Sequence, residues 1–186
     1  MDVNNNSKNG GFTLVELLVV IAIMAVFTGA FALSFRMVGS QRVSNAASTT
    51  KQMVQVAQTY AKSKNLTILV FKKMSDGSTS CRVCTADSPV QVVNRNFADT
   101  DKKTEFNKNI KISVAYGDVS NYVELKDPGD IITVIFNKGI GKPYNLSYYE
   151  TSAGSGTGTP RRIKFTNGSK TATLRIAQYT GAVSYE

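Results

Sequence analysis

The apolar residues of this chain are concentrated near its beginning. From Leu17 to Phe35 there are 19 consecutive residues without a charge, and 11 of them are Leu, Val, Ile or Phe. A helix of that length crosses the hydrocarbon core of a bilayer, because each residue advances about 1.5 Å along the helix axis. The pattern therefore predicts a transmembrane helix over this stretch.

The helical pattern continues after the apolar stretch, but there it has only one apolar face. Apolar residues recur at spacings of three and four, which indicates an amphipathic helix, and polar residues from Arg42 to Lys62 occupy the other face. We therefore expect one helix from about Thr13 to Lys62. Its predicted buried face comprises Val43, Ala46, Ala47, Thr50, Met53, Val54, Ala57, Tyr60 and Ala61.

The rest of the chain has the pattern of short strands separated by turn residues. A glycine- and serine-rich segment from Thr151 to Thr159 is expected to be a mobile hairpin loop. One long N-terminal helix packed on an antiparallel sheet makes the predicted fold class α+β, with a globular domain over residues 36–186. The predicted strands are Leu66–Lys73, Val90–Asn94, Ile110–Tyr116, Ile131–Phe136, Leu146–Glu150, Ile163–Thr166, Thr171–Gln178 and Ala182–Tyr185.

The composition argues against the commonest enzyme classes. The chain of 186 residues contains no histidine and only two cysteines. Nucleophilic pairs that use histidine as the base are therefore absent, and so are metal sites ligated by histidine or by four Cys and His side chains. We expect no catalytic residues, no metal, no cofactor and no enzymatic activity.

One acidic residue, Glu16, stands directly before the apolar stretch. An unpaired carboxylate in that position costs several kcal/mol once it leaves water. Thr13 and Glu16 have the T-x-x-E spacing of a capping box, in which the two side chains satisfy backbone N–H groups at a helix start. Capping accounts for the local chemistry, but it does not explain why the box follows two glycines and opens an uncharged span.

The segment Gly-Phe-Thr-Leu-Val-Glu, from Gly11 to Glu16, followed by an apolar helix, resembles the processing site of type IV prepilins and pseudopilins. The resemblance implies a pilin-like fold and cleavage between Gly11 and Phe12 by a prepilin peptidase. Residues 1–11 would then be a leader peptide, and the new amine of Phe12 would be methylated. It also implies that residues 12–35 enter a filament core, where Glu16 neutralises the terminal amine of a neighbouring subunit.

The carboxyl-terminal third is similar to the closing strands of GspH/FimT-type minor pseudopilins. There a strand, a glycine turn, a second strand and a G-x-V strand end the chain, and here Gly168 and Gly181 have those places. Simple hairpins with glycine turns are the alternative. The resemblance implies a minor pilin or pseudopilin of a type IV pilus or a type II secretion-like filament, held in the cell membrane by one span with its globular domain outside the cytoplasm.

Two other interpretations of the amino terminus remain open. Leu17–Gly29 followed by Ala30, Phe31 and Ala32 would serve as the apolar region and cleavage site of a secretory signal peptide. A plain membrane anchor would also explain the span, but not the motif before it. Either would make this a secreted or membrane-anchored globular domain.

Cys81 and Cys84 form a C-x-x-C sequence after a turn-like Asp-Gly-Ser segment. No further cysteine or histidine completes a zinc shell, and no strand-to-helix setting lowers a thiol pKa. Outside the cytoplasm, a disulfide that closes a small loop is the expected state, with reduced thiols or a redox role as the alternatives.

Basic residues outnumber acidic ones, at 22 against 13, which gives a net charge of +9. Near the carboxyl end, Arg161, Arg162, Lys164 and Lys170 are candidates for DNA binding, since the resemblance extends to minor pilins of DNA uptake. A second group comprises Lys102, Lys103, Lys108 and Lys111. The alternative is a basic surface without a specific ligand.

Overall fold

A computed structural model describes residues 12–63, 65–89, 98–117, 121–168 and 170–186, with the side chains of residues 30–38, 99 and 101 outside the description. Its one helix among these residues, α1, spans Leu14–Ser63 and lies within a residue of the predicted helix. The chain divides into two compact units, one ending at Val38 and the other running from Gly39 to Glu186.

Among the described residues, eleven strands form two antiparallel sheets in the second unit. The larger sheet has the order β3-β2-β1-β6-β7-β8, and the smaller has the order β11-β10-β9-β4-β5. The fold is therefore α+β, as predicted. The strands are β1 Leu66–Lys73, β2 Thr79–Ala86, β3 Ala98–Phe106, β4 Lys111–Tyr116, β5 Tyr122–Glu124, β6 Ile131–Phe136, β7 Tyr148–Thr151, β8 Gly154–Thr157, β9 Pro160–Asn167, β10 Lys170–Ile176 and β11 Val183–Tyr185.

Seven of the predicted strands are present, and two of them, β1 and β6, have the predicted bounds. The predicted strand Val90–Asn94 lies outside the described residues. Four strands were not predicted. Among them is β8, which pairs with β7, so the expected hairpin is present, but much of the segment expected to be its loop is a paired strand.

The core lies between the second half of α1 and one face of each sheet. Val43, Val54 and Ala57 of the helix pack there with Phe71 of β1 and Phe165 of β9. Thr50 is fully buried on the same face, as predicted. Tyr60 was expected on this face but is 38% exposed. The opposite face of the larger sheet is also covered, by a second apolar cluster that includes Ile68 and Ile135.

The turn between β10 and β11 requires the glycine of the G-x-V sequence, Gly181. Gly181 has a φ of 72°, in the left-handed region that favours glycine. A Cβ atom there would lie 2.6 Å from the side-chain nitrogen of Gln58 and 2.6 Å from the carbonyl oxygen of Gly141. The Gln58 amide also donates to the Gly181 carbonyl. This glycine therefore allows the turn to pack against the helix.

The expected disulfide between Cys81 and Cys84 is wrong: no bond joins the two thiols. Both residues lie in strand β2, where side chains three positions apart point to opposite faces of the sheet. Cys81 packs in the main core, and Cys84 packs in the cluster on the other face. Burial raises the pKa of the Cys81 thiol, which disfavours the reactive thiolate.

The predicted span Leu17–Phe35 extends into residues 30–35, whose side chains are not described. Among the described residues, no helix is both long enough and apolar enough to cross a membrane.

Candidate functional site

The start of α1 is a complete capping box. The backbone N–H of Thr13 donates to Oε2 of Glu16 at 2.9 Å, and the backbone N–H of Glu16 donates to Oγ1 of Thr13 at 3.2 Å. The Thr13 hydroxyl donates to the same Oε2 at 3.0 Å. These reciprocal bonds satisfy backbone donors that a helix start otherwise leaves open. The capping prediction is therefore confirmed at this position.

The Glu16 carboxylate is only partly used by the cap. Both bonds from Thr13 reach Oε2. Among the described residues, Oε1 accepts no hydrogen bond, although a carboxylate oxygen has room for two. The capping role therefore leaves one oxygen open to a second donor.

The helix surface around this box is apolar on every side. Between Phe12 and Gly29, Glu16 is the one charged residue, and every side chain in this range is exposed. Phe12 itself is 88% exposed. Contiguous apolar surface of this extent is not stable in water and marks a surface that other apolar groups cover. Gly11, the residue on the other side of the expected cut, lies outside the described residues.

Three of the four candidate DNA-binding residues lie in strand β9, and Lys170 begins strand β10. Ile163 and Phe165 point into the core, so Arg162 and Lys164 lie on the outer face of the smaller sheet. Arg162 forms an ion pair with Glu186, and the Lys164 Nζ lies 4.0 Å from the centre of the Tyr122 ring. Both cations thus already have partners within the chain.

The other two candidates do not join this pair in one site. Lys170 is exposed at the start of β10, while the Nε atom of Arg161 is buried and has no hydrogen-bond partner in the described part of the chain. On the outer face with Arg162 and Lys164, the Nζ atom of Lys111 lies 3.8 Å from Oε1 of Glu124. The arrangement is a mixed-charge surface rather than an unbroken basic one.

Asp130 is a buried carboxylate that the sequence did not single out. It is 5% exposed, and its two oxygens accept backbone N–H groups of Lys126, Asp127 and Ser152 at 2.9, 3.0 and 2.8 Å. Burial raises the pKa of Asp130, but the three hydrogen bonds outweigh it and the pKa is lowered. The carboxylate therefore connects the turn before β6 to the turn between β7 and β8.

Comparison with known proteins gives one decisive match at the amino terminus. Residues 6–32 match the family model of the prokaryotic N-terminal methylation motif. This is the motif of the type IV prepilin leader and the helix that follows it. The matched segment includes Gly11, Phe12 and Glu16, so it overlaps the capping box and the exposed apolar helix described above. No curated protein and no solved structure matches the chain in the same comparisons.

The prepilin leader supports a pilin-like protein that is processed by a prepilin peptidase and assembles with other pilins. Proteins with this motif are structural subunits rather than enzymes. Among the described residues, no group of three or more His, Cys, Asp and Glu side chains could hold a metal ion.

Proposed function

We propose that this protein is a minor pilin or pseudopilin, a structural subunit of a type IV pilus or a type II secretion-like filament. The N-terminal methylation motif at residues 6–32 is the observation that carries the proposal. The α+β fold supports it, since one long helix packed on antiparallel strands is the general shape that the resemblance implies. The resemblance of the carboxyl-terminal sequence to the closing strands of GspH/FimT-type minor pseudopilins favours a minor rather than a bulk subunit.

In this proposal, the exposed apolar helix has two successive environments. Before assembly, residues 12–35 hold the protein in the cell membrane, with the globular domain outside the cytoplasm. After assembly, the same residues pack in the filament core. Both environments bury side chains such as Phe12, Leu14 and Phe27, each at least 60% exposed in the single chain.

Glu16 has a specific role in the assembled state. Cleavage after Gly11 creates an amine on Phe12, and this cation needs a partner once it is surrounded by apolar side chains. The open Oε1 of Glu16 supplies an acceptor to the amine of a neighbouring subunit while Oε2 keeps the helix capped. Capping and pairing are therefore compatible in one carboxylate.

The test of processing is the mass of the full chain produced with and without a prepilin peptidase. With the peptidase, we expect the first residue to be Phe12, with a methylated amine, and 175 residues to remain when the first 11 of the 186 are removed. Gly11→Val should retain the leader, because a branched side chain fills the space beside the scissile bond that glycine leaves open to the peptidase.

A matched control places the same substitution one residue earlier, as Gly10→Val, and should leave the cut in place. A first residue at Leu33 would instead establish a signal peptide cleaved after Ala30-Phe31-Ala32. An uncut chain in the presence of active peptidase would leave a membrane-anchored domain and contradict the proposal.

A further inference from the structure

A pocket of about 270 Å³ lies between two loops of the globular unit, beside the carboxyl end of α1. The first loop, residues 137–147, joins β6 to β7 of the larger sheet, and the second, residues 177–182, joins β10 to β11 of the smaller sheet. The backbone N–H of Gly139 in the first loop donates to the carbonyl of Ala61 in the helix at 2.8 Å. The pocket therefore lies where the two sheets meet the helix.

Backbone hydrogen bonds hold both loops in place. In the first loop, the N–H of Asn137 donates to the carbonyl of Lys142 at 2.9 Å. In the second, the N–H of Ala177 donates to the carbonyl of Ala182 at 2.9 Å. The close contact of Gly181 with the first loop, described above, joins the two. The pocket is therefore preformed, so its backbone loses little conformational freedom when a ligand enters.

The lining of the pocket combines aromatic rings with side-chain amides. Tyr144 and Tyr179 contribute the rings; Tyr144 packs against the second apolar cluster, whereas Tyr179 is 81% exposed. Asn137, Asn145 and Gln178 contribute the amides, each of which can donate and accept hydrogen bonds. Among the described residues, none of these three amide groups bonds to another part of the chain. The amides are thus available to a ligand with hydroxyl groups.

The charge of the pocket favours an anionic ligand. Of the described residues that line it, Lys142 is the one charged side chain, and no carboxylate is among them. Lys142 forms no ion pair with a described residue. A lysine ammonium is a compact point charge, so a single lysine suits one carboxylate rather than a row of phosphates.

We propose that this pocket binds a uronic acid unit of an acidic polysaccharide. The ring of Tyr179 packs against the C–H face of the sugar, the amides exchange hydrogen bonds with its hydroxyls, and Lys142 pairs with its carboxylate. A purely apolar ligand would leave the amides without partners, which costs affinity. A nucleic-acid strand would need cations for its successive phosphates, and this pocket offers one cation.

The experiment measures binding of a fluorescent, short oligogalacturonate to the full chain in detergent by anisotropy. The oligosaccharide should bind, and Tyr179→Ala should weaken binding by about 5- to 10-fold, because the stacking ring is lost. Tyr179→Phe keeps the ring and should restore most of the affinity. Failure of the unchanged chain to bind would overturn the proposal, and so would equal losses in the Ala and Phe variants.

A matched ligand tests the role of the carboxylate. The methyl ester of the same oligosaccharide keeps the sugar rings and their hydroxyls but has no charge. It should bind up to about fivefold more weakly than the acid, as expected for the loss of an exposed ion pair, and Lys142→Gln should abolish this preference. An unchanged preference in that variant would contradict the assignment of Lys142.

Two control variants lie outside the pocket. Lys138→Gln removes an exposed lysine from the same loop, and Tyr60→Ala removes an exposed tyrosine from α1. Both should bind the oligosaccharide as the unchanged chain does. Weakening by Lys138→Gln equal to that by Lys142→Gln would show a general charge effect and overturn the proposal. Weakening by Tyr60→Ala equal to that by Tyr179→Ala would overturn it as well.

Two further measurements separate binding from folding and from nucleic acid. Tyr179→Ala should melt at the temperature of the unchanged chain, because the side chain is exposed. A lower melting temperature would indicate a structural role and contradict the proposal. Single-stranded DNA of equal charge should bind more weakly than the oligogalacturonate. Tighter DNA binding that disappears in Tyr179→Ala would assign the pocket to nucleic acid instead.

Discussion

Glu16→Val is expected to exclude the protein from filaments while leaving leader removal intact. The variant would keep the apolar helix but leave the amine of Phe12 on a neighbouring subunit without its carboxylate. A buried charge without a partner costs about 3–5 kcal/mol, which corresponds to more than about a hundredfold in the assembly equilibrium. The measurement compares the amount of protein in sheared filaments with the amount in the membrane fraction.

Two matched variants distinguish charge pairing from helix capping. Glu16→Gln preserves the capping box, because glutamine also serves in that position, but it removes the negative charge. Thr13→Ala removes the cap and keeps the charge, at a cost of about 0.5–2 kcal/mol of helix stability. The pairing account predicts that Glu16→Gln fails to assemble and that Thr13→Ala assembles. The reverse result would leave Glu16 as a capping residue only.

Asp130→Ala is expected to lower the free energy of unfolding by about 3 kcal/mol or more. The substitution leaves three backbone N–H groups without their acceptor, and hydrogen bonds to a charged group contribute about 1.5–3 kcal/mol each. Thermal or denaturant unfolding of the full chain in detergent measures the change. Asp127→Asn alters an exposed carboxylate in the same turn and should change stability by less than about 0.5 kcal/mol.

The same carboxylate predicts how stability depends on pH. Since the pKa of Asp130 is lower in the folded chain than its unfolded value of about 3.9, its contribution is fully present above that pH. The contribution is lost as the pH falls below about 4 and through the folded pKa. Asp130→Asn should therefore show a shallower loss of stability in this acid range than the unchanged chain. If both chains lost stability equally as the pH falls, Asp130 would not be the cause of the acid sensitivity.

Local patterns in the sequence predicted local structure well. The capping box of Thr13 and Glu16 depends on residues three apart, and α1 depends on a spacing of three and four, so both could be identified without the fold. β1 was predictable because Leu66–Phe71 is an almost continuous apolar run. β2 was not, since Ser80, Arg82 and Thr85 interrupt its buried positions and make it resemble a loop.

Features that depend on distant residues were not predictable. Asp130 has its third hydrogen-bond partner at Ser152, 22 positions further along the chain. The basic residues were grouped by their proximity in sequence, which put Lys103 with Lys102. Strand pairing instead places Lys103 opposite Arg82, because neighbouring residues of a strand point to opposite faces.

The most direct test of the filament-subunit account is the identity of this protein's first residue in filaments sheared from cells that carry the assembly machinery. The account predicts that the protein is present there, that it begins with a methylated Phe12, and that no copy retains residues 1–11. Recovery of the protein only from the membrane, with its leader attached, would contradict the account.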